Sequence, residues 1–207
     1  MKYLVGFAAA ALVLVFVGGG LLFAYPRPAD TTDVAIFAVD GAGLDHCSAA
    51  VFPALDGDGL DADAIPKAYT PGCGWTRWPG PVLGACREPL ARDAQDLRGL
   101  WVAEDAQGTY VERIEQCGDR VVVTSSGIIH DFRTDGTLEN GARDVRPQGC
   151  MNIAAAIAWR GDTLSFRPLG LPLEIVTRRL DDAGRLHWIY PGRGETVMER
   201  VCAMPDA

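Results

Sequence analysis

The sequence lacks the short motifs on which most predictions of enzymatic activity depend. It contains no Gly-x-Ser-x-Gly, no His-Glu-x-x-His and no phosphate-binding loop. It has only three histidines, and none of its six cysteines follows the Cys-x-x-Cys spacing that is typical of zinc sites and redox pairs. We therefore expect a protein that is not an enzyme and that holds no metal or other cofactor.

Basic residues are also scarce. The chain has 19 lysines and arginines against 27 acidic residues, which gives a formal net charge of −8. Surfaces that bind nucleic acid are normally basic, so this balance excludes nucleic acid as an expected partner. It also argues against docking on anionic lipid through a basic patch. The charge is typical of a soluble, self-repelling surface.

Only one long apolar run is present, and it lies at the N-terminus. After Lys2, the sequence carries no charge through Tyr25. The run is longer than the core of a secretory signal and approaches the length that crosses a bilayer. We predict a signal anchor over residues 1–25, a single transmembrane helix that leaves the rest of the chain on the periplasmic or extracellular side, because Lys2 favours a cytoplasmic N-terminus. The alternative is a protein secreted after cleavage near Ala24.

The cysteines agree with export. An even number of them in an exported chain predicts three disulfides. Three precede the region of β-type runs and three lie within it, so full pairing requires an odd number of bridges between the two regions. We predict that one of these bridges is Cys86–Cys202. The six predicted disulfide cysteines are Cys47, Cys73, Cys86, Cys117, Cys150 and Cys202.

The residue pattern of the chain changes near residue 96. Residues 26–95 form a tether and a Cys-rich segment, in which Val34–Asp40 could be one strand. From Gly41 to about Gln95 the segment has many Gly, Pro and Asp residues and no helical or strand periodicity, and we expect the disulfides to hold it in place. Over residues 96–207, short β-type runs alternate with turn signals. This pattern predicts an all-β domain, an antiparallel up-and-down barrel of about 8–9 strands. Within one run, Ile128, His130 and Phe132 share a face.

Gly99-Leu100-Trp101, placed just before the first predicted strand, resembles the N-terminal signature of the lipocalins and their calycin relatives. The resemblance implies that Trp101 is a structural plug at one end of the barrel and that an arginine near the last strand packs across its ring. Arg200 stands at the matching place, and Arg113 is a second candidate. The second lipocalin signature, Thr-Asp followed by Tyr, has Gly136 where the Tyr belongs.

One predicted strand, Asn-Ile-Ala-Ala-Ala-Ile-Ala-Trp, bears on ligand binding. It places Ala154, Ala156 and Ala158 on one face. Small inward side chains leave room for a ligand in a barrel of this size, and close packing against a neighbouring element is the alternative. His130 is the polar candidate for the same lining.

These features lead to two functional hypotheses. The first is an extracytoplasmic, membrane-anchored, lipocalin-like barrel that binds a small hydrophobic ligand. The alternative is a protein-interaction or inhibitor barrel that docks on another protein of the cell envelope through its loops or its Cys-rich segment.

Overall fold

The fold is described from a computed structural model over residues 59–68, 70, 81–105, 108–125, 128–144, 151–191 and 194–203. The predicted signal anchor over residues 1–25 lies outside these ranges, as does much of the tether and Cys-rich segment. Within the described ranges, no helix combines the length and the apolar character needed to cross a bilayer.

Ten antiparallel strands form a closed barrel in which each strand pairs with its neighbours in the chain and the first strand pairs with the last. The strands are β1 Gly99–Asp105, β2 Gly108–Cys117, β3 Arg120–Ser125, β4 Ile128–Arg133, β5 Asp135–Asp144, β6 Met151–Arg160, β7 Thr163–Pro168, β8 Val176–Leu180, β9 Leu186–Tyr190 and β10 Gly194–Ala203.

The all-β, up-and-down prediction is confirmed, whereas the predicted count of about 8–9 strands is too low. The Gly-x-Trp triplet does not precede the first strand; it begins β1. Trp101 pairs with Arg200 of β10 on one side and with Glu112 of β2 on the other. The segment that seemed to lead into the barrel is therefore the strand that closes it.

The interior of the barrel is lined by side chains that alternate along each strand. In β9, Leu186 and Trp188 lie in the interior cluster, with Tyr190 packed against it. The predicted shared face of β4 is also seen, because Phe132 lies inside while Ile129 belongs to a second cluster outside the barrel. The period of two that identified these strands thus reflects one inward and one outward face.

The Cys-rich segment packs against the outer surface of β2, β3 and β4. It has little regular structure in its described part: one turn of 3-10 helix at Ala62–Ala64 and a bridge between Leu60 and Cys86. Its apolar residues share a second core with the outward residues of the barrel. This outer cluster consists of Ala62, Ile65, Leu83, Cys86, Cys117, Val122 and Ile129.

A disulfide between Cys86 and Cys117 joins this segment to β2. A bridge between the two regions was required by the parity of the cysteines and is present. The predicted pairing of Cys86 with Cys202 is wrong, because the segment lies over β2–β4 rather than beside β10. Cys202 is also disulfide-bonded, and the other three cysteines lie outside the described residues.

The barrel is most weakly paired between β4 and β5, where one residue pair, His130 with Ala142, is in register within the described strands. β5 changes register between Asn140 and Ala142. The Cys-rich segment covers this seam: the Thr70 hydroxyl accepts a hydrogen bond from the Ile129 amide at 2.9 Å.

Candidate ligand-binding site

One end of the barrel is closed by the short segment at residues 95–98. Leu97 belongs to the interior cluster, and its amide donates to the Gln116 side chain at 2.7 Å. The Gln95 side chain accepts a hydrogen bond from the Leu180 amide at 3.1 Å. Because Gln116 lies on β2 and Leu180 on β8, the segment is held from two well-separated strands.

Trp101 and Arg200 complete this closed end. The Trp101 side chain is fully buried, and its indole Nε1 donates to the Leu97 carbonyl at 2.8 Å. The Arg200 guanidinium lies 4.5 Å from the centre of the indole ring, and its Nη2 donates to the Asp96 carbonyl at 2.7 Å. A guanidinium on an indole face is a favourable cation–π contact. The geometry is the one that the resemblance implies for Trp101 and Arg200.

Gly99 is needed where it stands because β10 approaches too closely for a side chain. A Cβ atom there would lie 2.6 Å from the Cys202 carbonyl oxygen and 3.2 Å from Cγ of Arg200. The glycine and the tryptophan of the triplet therefore have linked roles: the first admits the arginine strand, and the second receives its guanidinium.

Arg113, the second candidate for the tryptophan contact, lies elsewhere. Its Nε donates to Glu115 at 2.9 Å, and Glu115 also accepts the Leu83 amide at 2.8 Å, so both charges belong to the outer face beneath the Cys-rich segment. Burial lowers the pKa of Arg113 and raises the pKa of Glu115, and their mutual attraction opposes both shifts. Arg113 thus helps to hold the Cys-rich segment against β2 and is not part of the plug formed by Trp101.

A second buried ion pair lies inside the barrel. Arg178 of β8 reaches across to Glu112 of β2, with Nε–Oε1 and Nη2–Oε2 distances of 3.0 Å each. The Tyr110 hydroxyl adds a hydrogen bond to Glu112 Oε2 at 3.2 Å. Burial disfavours the Arg178 cation, but the attraction of Glu112 and the hydrogen bonds with it outweigh burial and raise the pKa of Arg178. Arg178 therefore stays charged although its side chain is buried in the barrel.

Aromatic rings frame this ion pair. The Arg178 guanidinium carbon lies 5.1 Å from the ring centre of Phe166 and 5.7 Å from that of Trp188. Trp188 stacks on Tyr110 with ring centres 4.9 Å apart and planes within 7° of parallel, and Tyr190 lies 5.5 Å beyond it. The result is a cluster of flat apolar surfaces around a charged but neutralised pair.

The aromatic cluster faces the end of the barrel opposite residues 95–98, here called the far end. Interior-facing residues near the closed end, such as Trp101 and Leu164, are fully buried. Towards the far end, Val176 and Tyr190 are only partly buried, and so is His130. The ring of His130 meets Phe132 edge-on at 6.3 Å. Partly buried interior-facing residues also occur towards the closed end, where Trp159 and Leu180 lie.

The alanines predicted to line a ligand site are on the wrong face. Ala155 and Ile157 belong to the interior cluster, so alternation along β6 turns Ala154, Ala156 and Ala158 outward. The sequence alone could not orient this strand, because both of its faces are apolar: one carries the three alanines, and the other carries Ile153, Ala155, Ile157 and Trp159. The predicted place of His130 on the inward face of β4 agrees with the structure.

Sequence reasoning missed Glu112 and Arg178. A usable signal existed in the alternation of their strands. Arg178 falls between Val176 and Leu180 on the inward face of β8, and Glu112 falls between Tyr110 and Ile114 on that of β2. Opposite charges on inward faces of two strands imply a pair, but only the barrel shows that strands 66 residues apart meet.

A smaller charged cluster lies on the outer face of β9. His187 contacts Glu195 through Nδ1 at 2.7 Å and Asp181 through Nε2 at 3.1 Å. Hydrogen bonds to Glu195 and then to Asp181 raise the pKa of His187. The Arg185 amide and the His187 ring lower the pKa of Asp181. This cluster stabilises the β8–β9 turn and is remote from the interior site.

These features define a closed, ten-stranded, up-and-down β-barrel with one sealed end and an aromatic, ion-paired interior. Comparison with models of known protein families and with curated proteins finds no match to the chain.

Proposed function

We propose that this protein is a binding protein that holds a small, largely apolar ligand inside the far-end half of its barrel. The observation that carries the proposal is the Glu112–Arg178 pair within its aromatic frame. A buried ion pair is seldom more stabilising than well-packed apolar residues. Perturbed charged groups gather at functional sites. Trp101 and residues 95–98 already seal the closed end, so the barrel does not need the Glu112–Arg178 pair to close that end.

Binding of an environment-sensitive apolar dye tests this proposal. Val176→Trp would fill the inward face near the far end, and we expect it to abolish dye binding. Ile189→Trp is the matched control, because Ile189 is exposed on the outer face of the neighbouring strand. Equal dye binding by both variants would reject the interior site. Native mass spectrometry of the purified full-length protein would then show whether a small molecule accompanies it.

We also propose that the barrel is lipocalin-like and that it is not an enzyme. Support for the first part comes from the Trp101–Arg200 contact, which is the feature that the resemblance implies. Structures of the protein with and without the dye would test it: the dye should occupy the barrel, while the closed end around Trp101 stays unchanged.

The proposed location is the periplasmic or extracellular side of a membrane, with residues 1–25 as the anchor. The Cys86–Cys117 disulfide supports this location, because disulfides persist in oxidising compartments. Cell fractionation with protease treatment of intact and opened cells tests it. A full-length chain in the cytosol would contradict export, and a soluble mature form that begins near Tyr25 would support cleavage near Ala24 instead of anchoring.

The second candidate function is docking on another envelope protein, and one observation favours it. The β7–β8 connection exposes Leu169, Leu171 and Leu173 at 52%, 46% and 59%, beside an exposed Leu138 on β5. Leu169 adopts a positive φ of 54°, which is unusual for a branched side chain. A photo-reactive residue at position 171 should crosslink a partner in cells if this candidate is correct, whereas one at Ile189 should not.

A further inference from the structure

The Arg178 guanidinium has a donor that the barrel does not use. Its Nε and Nη2 are occupied by Glu112. Within the described residues, Nη1 donates to no group. The residue keeps a small exposed area of 4%, and Nη1 is not one of the fully buried polar atoms without a partner, so solvent reaches this donor. A ligand acceptor placed against Nη1 would replace that solvent with a charge-assisted hydrogen bond.

The charge of the site restricts what that acceptor can be. Glu112 is fully buried and Arg178 nearly so, and together they are neutral. An anionic ligand at Nη1 would leave an uncompensated negative charge in a medium that screens poorly, close to the Glu112 carboxylate. A cationic ligand would meet the same difficulty beside Arg178. A neutral acceptor, such as a carbonyl oxygen, adds a hydrogen bond without adding a charge.

The shape of the site restricts the rest of the molecule. Tyr110 and Trp188 are nearly parallel, and the partly buried ring of Tyr190 continues the aromatic wall towards the far end. Flat aromatic walls favour flat ligands, because offset stacking adds to the burial of apolar area. A flexible chain would gain less from these rings and would lose more conformational freedom on binding.

We propose that the ligand is a neutral, planar, mainly apolar molecule that carries a carbonyl-type acceptor, and that this acceptor binds Nη1 of Arg178. This inference rests on the proposed function, since it specifies the ligand class of the same interior site. Glu112 has a selective role in it: by neutralising Arg178, it excludes carboxylates that a free arginine would attract.

Three fluorescent probes built on one ring system test the inference with the full-length protein. All are dimethylaminonaphthalenes: one bears a neutral propionyl ketone, one bears a carboxylate, and one bears neither. We expect the ketone to bind about tenfold more tightly than either of the others, the difference that one charge-assisted hydrogen bond typically makes. Its emission should also shift as its carbonyl accepts the hydrogen bond.

Glu112→Gln provides the decisive comparison. The variant keeps the side-chain shape but leaves the Arg178 charge unbalanced, so the carboxylate probe should become the tighter ligand by about tenfold. Asp131→Asn is the matched control: Asp131 forms a comparably buried pair with Arg120 at 2.6 Å, but on the outer face beneath the Cys-rich segment. It should lower stability while leaving the order of the three probes unchanged.

The outcomes separate the two proposals. A carboxylate that binds the unmodified protein more tightly than the ketone would overturn the inference while leaving interior binding intact. Equal affinity for the ketone and the unsubstituted ring would overturn the Arg178 contact. An unchanged probe order in Glu112→Gln would overturn the selective role of Glu112. Failure of all three probes to bind would overturn interior binding of such ligands and the inference with it.

Discussion

Replacing one partner of the interior ion pair should destabilise the protein far more than replacing both partners together. Glu112 and Arg178 have side chains that are 0% and 5% exposed, so water screens their interaction poorly. With charge centres about 4 Å apart and an effective dielectric constant of about 20, the attraction is about 4 kcal/mol. Replacing one partner forfeits this attraction and leaves the other charge buried alone.

A double-mutant cycle measures this asymmetry. We expect Arg178→Met and Glu112→Leu each to reduce the free energy of unfolding by roughly 3–5 kcal/mol. The double variant should lie within about 2 kcal/mol of the unmodified protein, since apolar replacements of similar volume often match a buried pair. Urea unfolding followed by tryptophan fluorescence, with the disulfides kept intact, gives the change in the free energy of unfolding for each of the three variants.

The exposed pair of Arg185 and Asp181 is the matched control. Its side chains are 46% and 17% exposed, and Arg185→Ala should cost less than about 1 kcal/mol. If the two interior single variants also cost less than about 1 kcal/mol, or if their effects simply add in the double variant, then water screens the pair and the two charges do not interact strongly.

Three further predictions concern the plug, the disulfide and pH. Trp101→Ala should reduce the free energy of unfolding by about 3–5 kcal/mol because it empties a fully buried site, and Arg200→Ala should lower the melting temperature through lost packing; near-native melting of both would reject the plug. Reducing the Cys86–Cys117 bridge, with its separation of 31 residues, should cost about 3–4 kcal/mol in the chain-entropy model, and peptide mapping under non-reducing conditions should recover that pair. The raised pKa of His187 adds stability below the unfolded-state pKa of about 6.5 and loses it as pH rises through the higher folded-state pKa, so His187→Asn should lower the melting temperature at about pH 5.5 and have little effect at about pH 9.

The strands could be predicted because alternation is a local property. In β9, the alternation of apolar and polar residues alone identifies Leu186 and Trp188 as inward-facing, and no other part of the chain is needed. Where alternation is absent, the same reasoning fails. Both faces of β6 are apolar, so its inward residues were assigned to Ala154, Ala156 and Ala158 instead of Ala155 and Ile157.

The first strand was missed for a different reason. Gly99–Asp105 contains a glycine and carries acidic residues at its end, features that weaken a strand prediction. The glycine is there because β10 crosses close to it. The reason for the glycine is therefore a partner strand about 100 residues later in the chain, which no local window contains.

The amino-acid sequence by itself determined the all-β class, the up-and-down order of the runs, and a cysteine parity that demanded a bridge between the Cys-rich segment and the barrel. These follow from side-chain periodicity, turn residues and counting, which need no coordinates. Only the tertiary structure decided which cysteine Cys86 joins and that Glu112 meets Arg178 inside the barrel. Those contacts depend on how the sheet curves and closes, which sets distances between residues that are far apart in the chain.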